Sequence, residues 1–149
     1  MTTTTISLTA TSIPAATSST APIDQGDLVE WETTPITIGG LGLLVAVANE
    51  GAERSQGLMG IDQLGDLDGM LFVFPLEDLS GFWMKDTLIP LDIAFFGEDR
   101  ALVDVLNMVP CVAESCPSYV PNSPFSWALE TPAGLLGPLA PGTMLSIGE

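Results

Sequence analysis

The chain has 149 residues, enough for one domain with a hydrophobic core and too few for two ordinary domains. Nineteen Asp and Glu stand against three basic residues, Arg54, Lys85 and Arg100, and the net charge is −16. Binding to nucleic acid or to anionic lipid requires several basic residues, so this charge argues against both. The chain has no His, which excludes the Ser-His-Asp triad, the Cys-His dyad and the HExxH zinc helix.

Residues 1–23 differ in composition from the rest of the chain. Thr, Ser, Ala and Pro dominate this segment, and no charged residue precedes Asp24. Large apolar groups are too few to offset the entropy of ordering, so we predict a disordered Thr/Ser-rich tether followed by a single domain over residues 24–149. No signal peptide is visible. A tether implies an attachment, so we expect an export signal or lipid anchor upstream of Met1, the alternative being an intracellular protein with a flexible N-terminus.

From Asp24 onward the sequence predicts short strands separated by turns, consistent with 15 Gly and 12 Pro. Apolar residues occur at both odd and even positions of Leu102–Val109, which predicts a strand buried on both faces. The predicted strands are Leu28–Thr33, Gly42–Ala48, Met70–Phe74, Phe82–Met84, Ile93–Phe96, Leu102–Val109, Trp127–Glu130 and Met144–Ile147.

Helical signals are weak and confined to two places. The better one is Ala52–Met59, closed by Gly60 as a left-handed cap, and the other is a turn at Ala133–Leu136. Eight short strands at this spacing predict a mainly β fold. We expect a jelly-roll-like β-sandwich or partly closed barrel with one or two short helices.

Cys111 and Cys116 are the two cysteines, in a Pro-bounded segment. Two thiols without His make at most half a zinc site, and the spacing is not that of a Cys-x-x-Cys redox pair. We favour a structural disulfide, worth about 2 kcal/mol by loop entropy, and therefore an oxidising compartment. Asp62, Asp66 and Asp68 hint at calcium, but they do not fit the EF-hand spacing, and a turn before a strand is the simpler interpretation. We expect no metal and no cofactor.

The segment Ser80–Phe96 is the most informative. Lys85 directly follows the apolar run Phe82–Met84, and a buried Lys is costly unless carboxylates compensate its charge. Asp86 and Asp92 are near it in sequence, and Arg54 and Glu130 are candidates to join them in space. Two interpretations stay open, a ligand site and a buried ion-pair network that fixes strand register.

Several motifs occur in the order of one known family. They are Arg54–Met59, Gly69–Phe72, Phe82–Thr87, Pro90–Ile93, and Ala128–Glu130 followed by Ala133–Gly134. Over residues 41–149 the chain resembles the domain of unknown function 192 family, whose bacterial and archaeal members are often exported. The resemblance implies a mainly β, jelly-roll-like fold and candidate residues, and no reaction. The Pro110–Tyr119 segment also resembles a variant found among exported members.

Two positions depart from the usual family pattern. The family commonly has Asn after the Met-Lys pair, where this chain has Asp86, and a basic residue where this chain has Gly60. Both departures make the region more acidic. We expect this member to hold an anionic group less well, whereas a polyol or sugar is affected less.

Our first functional hypothesis is a non-catalytic, extracytoplasmic module that binds a sugar or another small polar ligand. Trp83 is the first candidate to stack on the ligand, and Trp127 is the second. For each Trp considered by itself, core packing is the favoured interpretation. The candidate ligand-binding residues are Arg54, Trp83, Lys85, Asp86, Asp92 and Glu130.

Two alternatives belong to other classes. A hydrolase or lyase would use a carboxylate pair such as Asp92 and Glu130, with Lys85 as a possible desolvated base. A scaffold tethered at the cell envelope would meet a cationic protein partner through its acidic surface. We expect no nucleic-acid partner and no membrane insertion by this chain, and we consider an enzyme the less favoured class.

Overall fold

The computed structural model of the protein describes residues 31–148. The predicted tether over residues 1–23 and the first half of the predicted strand Leu28–Thr33, residues 28–30, lie outside these residues. Within residues 31–148, no helix is long and apolar enough to cross a membrane.

Short strands and one short helix account for the regular structure of residues 31–148. In chain order they are β1 (Thr33–Ile38), β2 (Leu41–Ala48), α1 (Gly51–Gln56), β3 (Gly69–Asp78), β4 (Phe82–Trp83), β5 (Leu91–Phe96), β6 (Leu102–Met108), β7 (Ser118–Tyr119), β8 (Phe125–Pro132) and β9 (Leu145–Ile147).

Seven of the strands form one sheet in the order β6-β5-β8-β3-β2-β1-β9, and β4 pairs with β7 in a separate two-stranded sheet. The large sheet curls until its two ends meet. Leu102 N–H donates to Thr143 O at 2.8 Å and Leu145 N–H donates to Arg100 O at 2.9 Å. The result is a half-barrel, and the prediction of a mainly β, partly closed barrel is confirmed.

Each face of the large sheet carries its own apolar core. Strands at both ends of the sheet contribute to one cluster, which includes Ile38, Phe96 and Leu145, so this cluster fills the concave side. The other cluster includes Phe72 and Phe95 and lies on the convex side. Alternate residues of each strand supply the two cores, because successive side chains of a strand point to opposite faces.

The convex face is covered by local structure rather than by a second large sheet. Leu58 and Ile61, which follow α1, and Met84, which follows β4, are buried members of the convex cluster. Phe82 packs edge-to-face on Phe72, with ring centroids 5.1 Å apart. The segment after α1 and the β4–β7 pair therefore form the cover, and any opening between them reaches the convex face of the sheet.

Three element predictions need correction. The helix ends at Gln56 and not at Met59, because Gly57 takes a φ of 49° and turns the chain. Strand β1 was not predicted; its Pro35 reads as a strand breaker, but a two-residue Gly39-Gly40 turn with positive φ at both positions closes the β1–β2 hairpin. Strand β6 is half-buried along most of its length because it lies at the end of the sheet order.

Candidate ligand-binding cleft

A cleft of about 470 Å³ opens on the convex face between α1 and β4. The cleft is lined by aromatic side chains, small polar side chains, one basic side chain and one acidic side chain. The aromatic and charged residues of the lining are Arg54, Phe72, Phe74, Phe82, Trp83 and Glu130. Three of the six residues predicted to form a ligand site, Arg54, Trp83 and Glu130, are thus brought together, although they come from α1, β4 and β8.

Glu130 lies on the sheet at the floor of the cleft. It is opposite Met70 of β3 and opposite Ile93 of β5, and both are fully buried. Glu130 is itself only 4% exposed. Burial raises the pKa of its carboxyl group from 4.5 to about 8, because the charged form loses hydration that nothing nearby replaces. At neutral pH the free protein therefore holds Glu130 largely as a neutral carboxylic acid.

Arg54 is held against one wall of the cleft. Its Nη1 donates to Val73 O at 2.9 Å, and its guanidinium lies over the Phe74 ring at 5.2 Å from the centroid. The acceptor lies where the regular pairing of β3 with β8 is interrupted, between Val73 and Asp78. Arg54 thus joins α1 to β3 at a break in the sheet. Half-buried, with an aromatic face beneath it, the guanidinium still lines the cleft.

Asp78 is the carboxylate influenced by Arg54. Burial acts to raise the pKa of Asp78, but hydrogen bonds from Ser80 and Leu79, together with the positive charge of Arg54, outweigh burial and lower it. The hydrogen bonds are short: Leu79 N–H donates at 2.7 Å and Ser80 N–H at 2.9 Å. Asp78 therefore stays ionised and organises the turn that leads into β4.

Lys85 and Asp86 lie away from the cleft, beside the disulfide loop. Lys85 is half-buried, and its Nζ donates to Ala113 O at 3.4 Å. Asp86 N–H donates to Cys111 O at 3.0 Å, while Asp86 O accepts from Gly60 N–H at 2.9 Å. Asp86 has a φ of 55° and an exposed side chain. Asn and Asp tolerate this left-handed conformation better than most residues, which explains the choice of residue at this position without a ligand.

Asp92 is a structural carboxylate. It is 7% exposed, accepts from Asn107 Nδ2 at 2.6 Å and accepts from Gly134 N–H at 2.9 Å. These contacts join β5 to β6 and to the turn after β8. Asp92 faces the opposite side of the sheet from Glu130, because its neighbour Ile93 is the residue paired with Glu130. Asp92 and Glu130 do not share a cleft.

The buried ion-pair network, one of the two interpretations left open for these residues, does not form among the described residues. Within residues 31–148, no Lys or Arg nitrogen lies within 4.0 Å of a carboxylate oxygen. All three basic residues of the chain fall in this range, and each is engaged otherwise: Arg54 and Lys85 as described above, and Arg100 over the Trp127 ring at 5.0 Å from its centroid. None of the three serves as a counter-ion to Glu130.

The two tryptophans considered for stacking on a ligand, Trp83 and Trp127, differ in environment. Trp83 is 52% exposed at the cleft, so the preference for core packing is wrong for this residue. Trp127 packs against the concave core, and its Nε1 is buried without a hydrogen-bond partner in the described part of the chain. Of these two, Trp83 is the one that lines the cleft.

Several lining residues were not singled out from the sequence. They are Ser55, Gln56, Phe72, Phe74, Ser80, Phe82 and Thr87. Most of them belong to the motifs that carry the family resemblance, so those motifs already included most of these lining residues. Their convergence depends on the β4–β7 cover, which the sequence patterns did not predict.

Cys111 and Cys116 form a disulfide. The loop that they close runs beside the β4–β7 pair: Cys111 N–H donates to Met84 O at 3.3 Å. In residues 31–148, no group of three His, Cys, Asp or Glu side chains is arranged to hold a metal ion.

Two solved structures resemble this fold. One is a protein from Sinorhizobium meliloti 1021 proposed to be a transcription regulator, with 30% sequence identity and a TM-score of 0.68, covering 80% of this chain and 96% of that one. The other is a protein of unknown function from Novosphingobium aromaticivorans DSM 12444, with 30% identity and a TM-score of 0.69, covering 89% of this chain and 99% of that one.

A search of curated proteins found no match. The family model for DUF192, described as an uncharacterised ACR, matches residues 34–147. This range includes α1, both sheets and every residue of the cleft. The chain belongs to the domain of unknown function 192 family.

Proposed function

We propose that the protein is a non-catalytic module that binds a small polar ligand, such as a sugar or another polar metabolite, in the cleft between α1 and β4. The observation that carries this proposal is Glu130, a carboxyl group 4% exposed that nonetheless lines an open cleft. A buried polar group that faces a cleft is costly unless something pairs with it, and a ligand is the partner that the cleft admits.

The rest of the lining suits a ligand with one apolar face and several polar groups. Trp83 offers an exposed aromatic surface for stacking, and Arg54 offers hydrogen-bond donors on the opposite wall. Ser55, Gln56 and Ser80 add small polar groups at the opening. A few polar groups in an aromatic-lined cleft is the usual composition of a small-molecule site.

Catalysis by a carboxylate pair finds no support in this geometry. Asp92 faces away from Glu130, and both of its oxygens accept hydrogen bonds from the protein. Lys85 does not line the cleft and therefore has no access to a ligand held there. A binding role requires neither residue.

We further propose an extracytoplasmic location. The Cys111–Cys116 disulfide supports it, because structural disulfides persist mainly in oxidising compartments. We do not extend the transcription-regulator description of the Sinorhizobium protein to direct DNA contact by this chain. Two of its three basic side chains, Arg54 and Arg100, are stacked on its own aromatic rings, and the net charge is −16.

A ligand panel followed by NMR tests the binding proposal. Isotopically labelled full-length protein is titrated with neutral monosaccharides, polyols, amino alcohols and amino acids. We expect at least one class to shift the Trp83 indole and Gly57 amide signals, and we expect Trp83→Ala to weaken that binding several-fold. Leu76→Ala is the matched control, since Leu76 is 78% exposed and does not line the cleft. If no compound shifts signals from the cleft, or if Trp83→Ala leaves the affinity unchanged, the proposal fails.

A further inference from the structure

The positive charges of this chain are few and all accounted for. Arg54 donates to Val73 O and covers Phe74, Lys85 donates to Ala113 O, and Arg100 covers Trp127. The sequence contains no other Lys or Arg and no His. No basic side chain of the protein is therefore left to neutralise Glu130.

Among residues 31–148, one other charged side chain lines the cleft with Glu130. Arg54, from α1, is the only charged residue besides Glu130 among the described residues that line the cleft. On β3 and β5, the residues paired with Glu130 are the apolar Met70 and Ile93, and Asp92 faces the other side of the sheet. Glu53 of α1 is occupied with its own helix, accepting from Asn49 N–H at 3.0 Å. No group of these elements stabilises the ionised form of Glu130.

Aromatic rings form much of the wall above Glu130. Phe72, Phe82 and Trp83 line the same cleft, and Phe74 already carries the Arg54 guanidinium at 5.2 Å. The negative faces of such rings attract cations, most strongly where water is excluded. A buried carboxyl group beneath aromatic rings is an environment suited to an organic cation.

We propose that the ligand of this cleft carries a cationic amine, which forms an ion pair with the Glu130 carboxylate beneath the aromatic wall. This inference rests on the proposed binding function and specifies the ligand class for the same site. On binding, the Glu130 carboxyl releases its proton to solvent and the ligand enters already protonated, so one positive charge replaces another. Hydroxyl and amide groups of the ligand remain available to Arg54 and the small polar side chains.

Other ligand chemistries fit the floor of the cleft less well. A hydroxyl group can accept or donate one hydrogen bond to Glu130, but it brings no charge to offset burial of the carboxylate. An anionic group would approach a carboxyl group within a protein of net charge −16, with Arg54 already shared between Val73 O and Phe74. Of these three chemistries, only the amine brings Glu130 an opposite charge in addition to a hydrogen bond.

A pair of probes that differ in one group tests the inference. The full-length protein is titrated with trans-4-aminocyclohexanol and with cyclohexane-1,4-diol, followed by NMR and calorimetry. We expect the amine to bind wild type at least about tenfold more tightly than the diol. We expect Glu130→Gln to remove this preference, because the variant lacks the carboxylate that pairs with the amine and its affinity for the amine falls. Glu77→Gln, at an exposed position outside the cleft, is the matched control.

The pH dependence of wild type provides a second readout that needs no variant. Because binding requires the ionised carboxyl, the affinity for the amine should rise about tenfold per pH unit below the pKa of Glu130 and level off above it. The binding enthalpy should depend on the buffer, since a proton is released. If the diol binds as tightly as the amine, or the affinity is independent of pH, the amine inference is overturned while the cleft stands. If neither probe nor any member of the ligand panel shifts signals from the cleft, the binding proposal falls with it.

Discussion

Asp92 and Glu130 lie on opposite faces of the same sheet, one residue apart in register. Glu130 is opposite Ile93 across β5 and β8, so Asp92 is opposite Thr131 and faces the other way. Asp92 is saturated by Asn107 and Gly134, whereas the Glu130 carboxyl has no hydrogen-bond partner among residues 31–148. Two buried acids that look alike in sequence therefore have different roles, one in stability and one facing a cleft.

The stability of the protein should fall as the pH rises through the titration of Glu130. Its pKa is raised from 4.5 to about 8 in the folded state, so its contribution is fully favourable below about pH 4.5 and is lost as the pH approaches 8. The full change amounts to at most about 5 kcal/mol. Urea unfolding of wild type and Glu130→Gln across this range measures the effect as a difference, which should widen in favour of the variant as the pH rises.

Glu77→Gln serves as the control for that series because it makes the same chemical change at an exposed position. We expect its unfolding free energy to follow that of wild type to within about 0.5 kcal/mol at every pH. A constant difference between wild type and Glu130→Gln would show that Glu130 is not a buried acid with a raised pKa.

Arg54 and Lys85 should differ in their contributions to stability. Arg54→Ala removes a charged hydrogen bond to Val73 O and the contact with Phe74, which together cost about 2–3 kcal/mol. Lys85→Ala removes one long contact to Ala113 O and should cost less than about 0.5 kcal/mol. Thermal unfolding of both variants provides the comparison. An equally large loss of stability for Lys85→Ala would instead support a buried ion-pair network around Lys85. That result would contradict the contacts described above.

We expect the backbone conformation at position 86 to determine which residue types are tolerated there. Because residue 86 has a φ of 55°, Asp86→Asn and Asp86→Gly should keep wild-type stability, whereas Asp86→Val should lose about 1–2 kcal/mol of stability. Denaturant unfolding tests this order. Should Asp86→Asn instead change ligand affinity in the NMR panel while leaving stability unchanged, position 86 would belong to the binding site after all.

Reduction of the disulfide should destabilise the protein moderately and locally. Closing the six-residue loop between Cys111 and Cys116 contributes about 2 kcal/mol by loop entropy. The loop bonds to Met84, Lys85 and Asp86 and not to the seven-stranded sheet, so amide exchange should increase beside Met84 and stay slow in β5 and β8. A Cys111→Ser/Cys116→Ser variant should be insensitive to reductant. Global unfolding on reduction would contradict this assignment.

Local sequence patterns predicted most strands of the large sheet. Runs such as Ile93–Phe96 and Trp127–Glu130 are apolar enough to predict strands, and both lie in strands that have a neighbour on each side. Strand β1 escaped prediction because Pro35 opposed it, and β7 because two residues carry no periodic pattern. The curl of the sheet depends on contacts between residues near Arg100 and Thr143, which no local pattern encodes.

The candidate site was predictable only in part, for a geometric reason. Motifs identified Arg54, Trp83 and Glu130 as residues to examine, and these three line the cleft. Sequence proximity grouped Lys85 and Asp92 with them, but proximity does not determine the face of a sheet to which a side chain points. That face depends on the register between strands, such as Ile93 opposite Glu130, and register is a property of the whole sheet.

The most direct test of this account is the pKa of the Glu130 side chain itself. Carboxyl carbon signals of glutamate-labelled protein are followed by NMR as the pH is varied, and Glu130→Gln identifies the signal by its disappearance. We expect a midpoint of about 8 in the free protein, shifted downward when the amine probe is bound. A midpoint near 4.5, the ordinary value for Glu, would mean that the carboxyl is already ionised in the free protein, and it would contradict both the proton release and the pH dependence expected for amine binding.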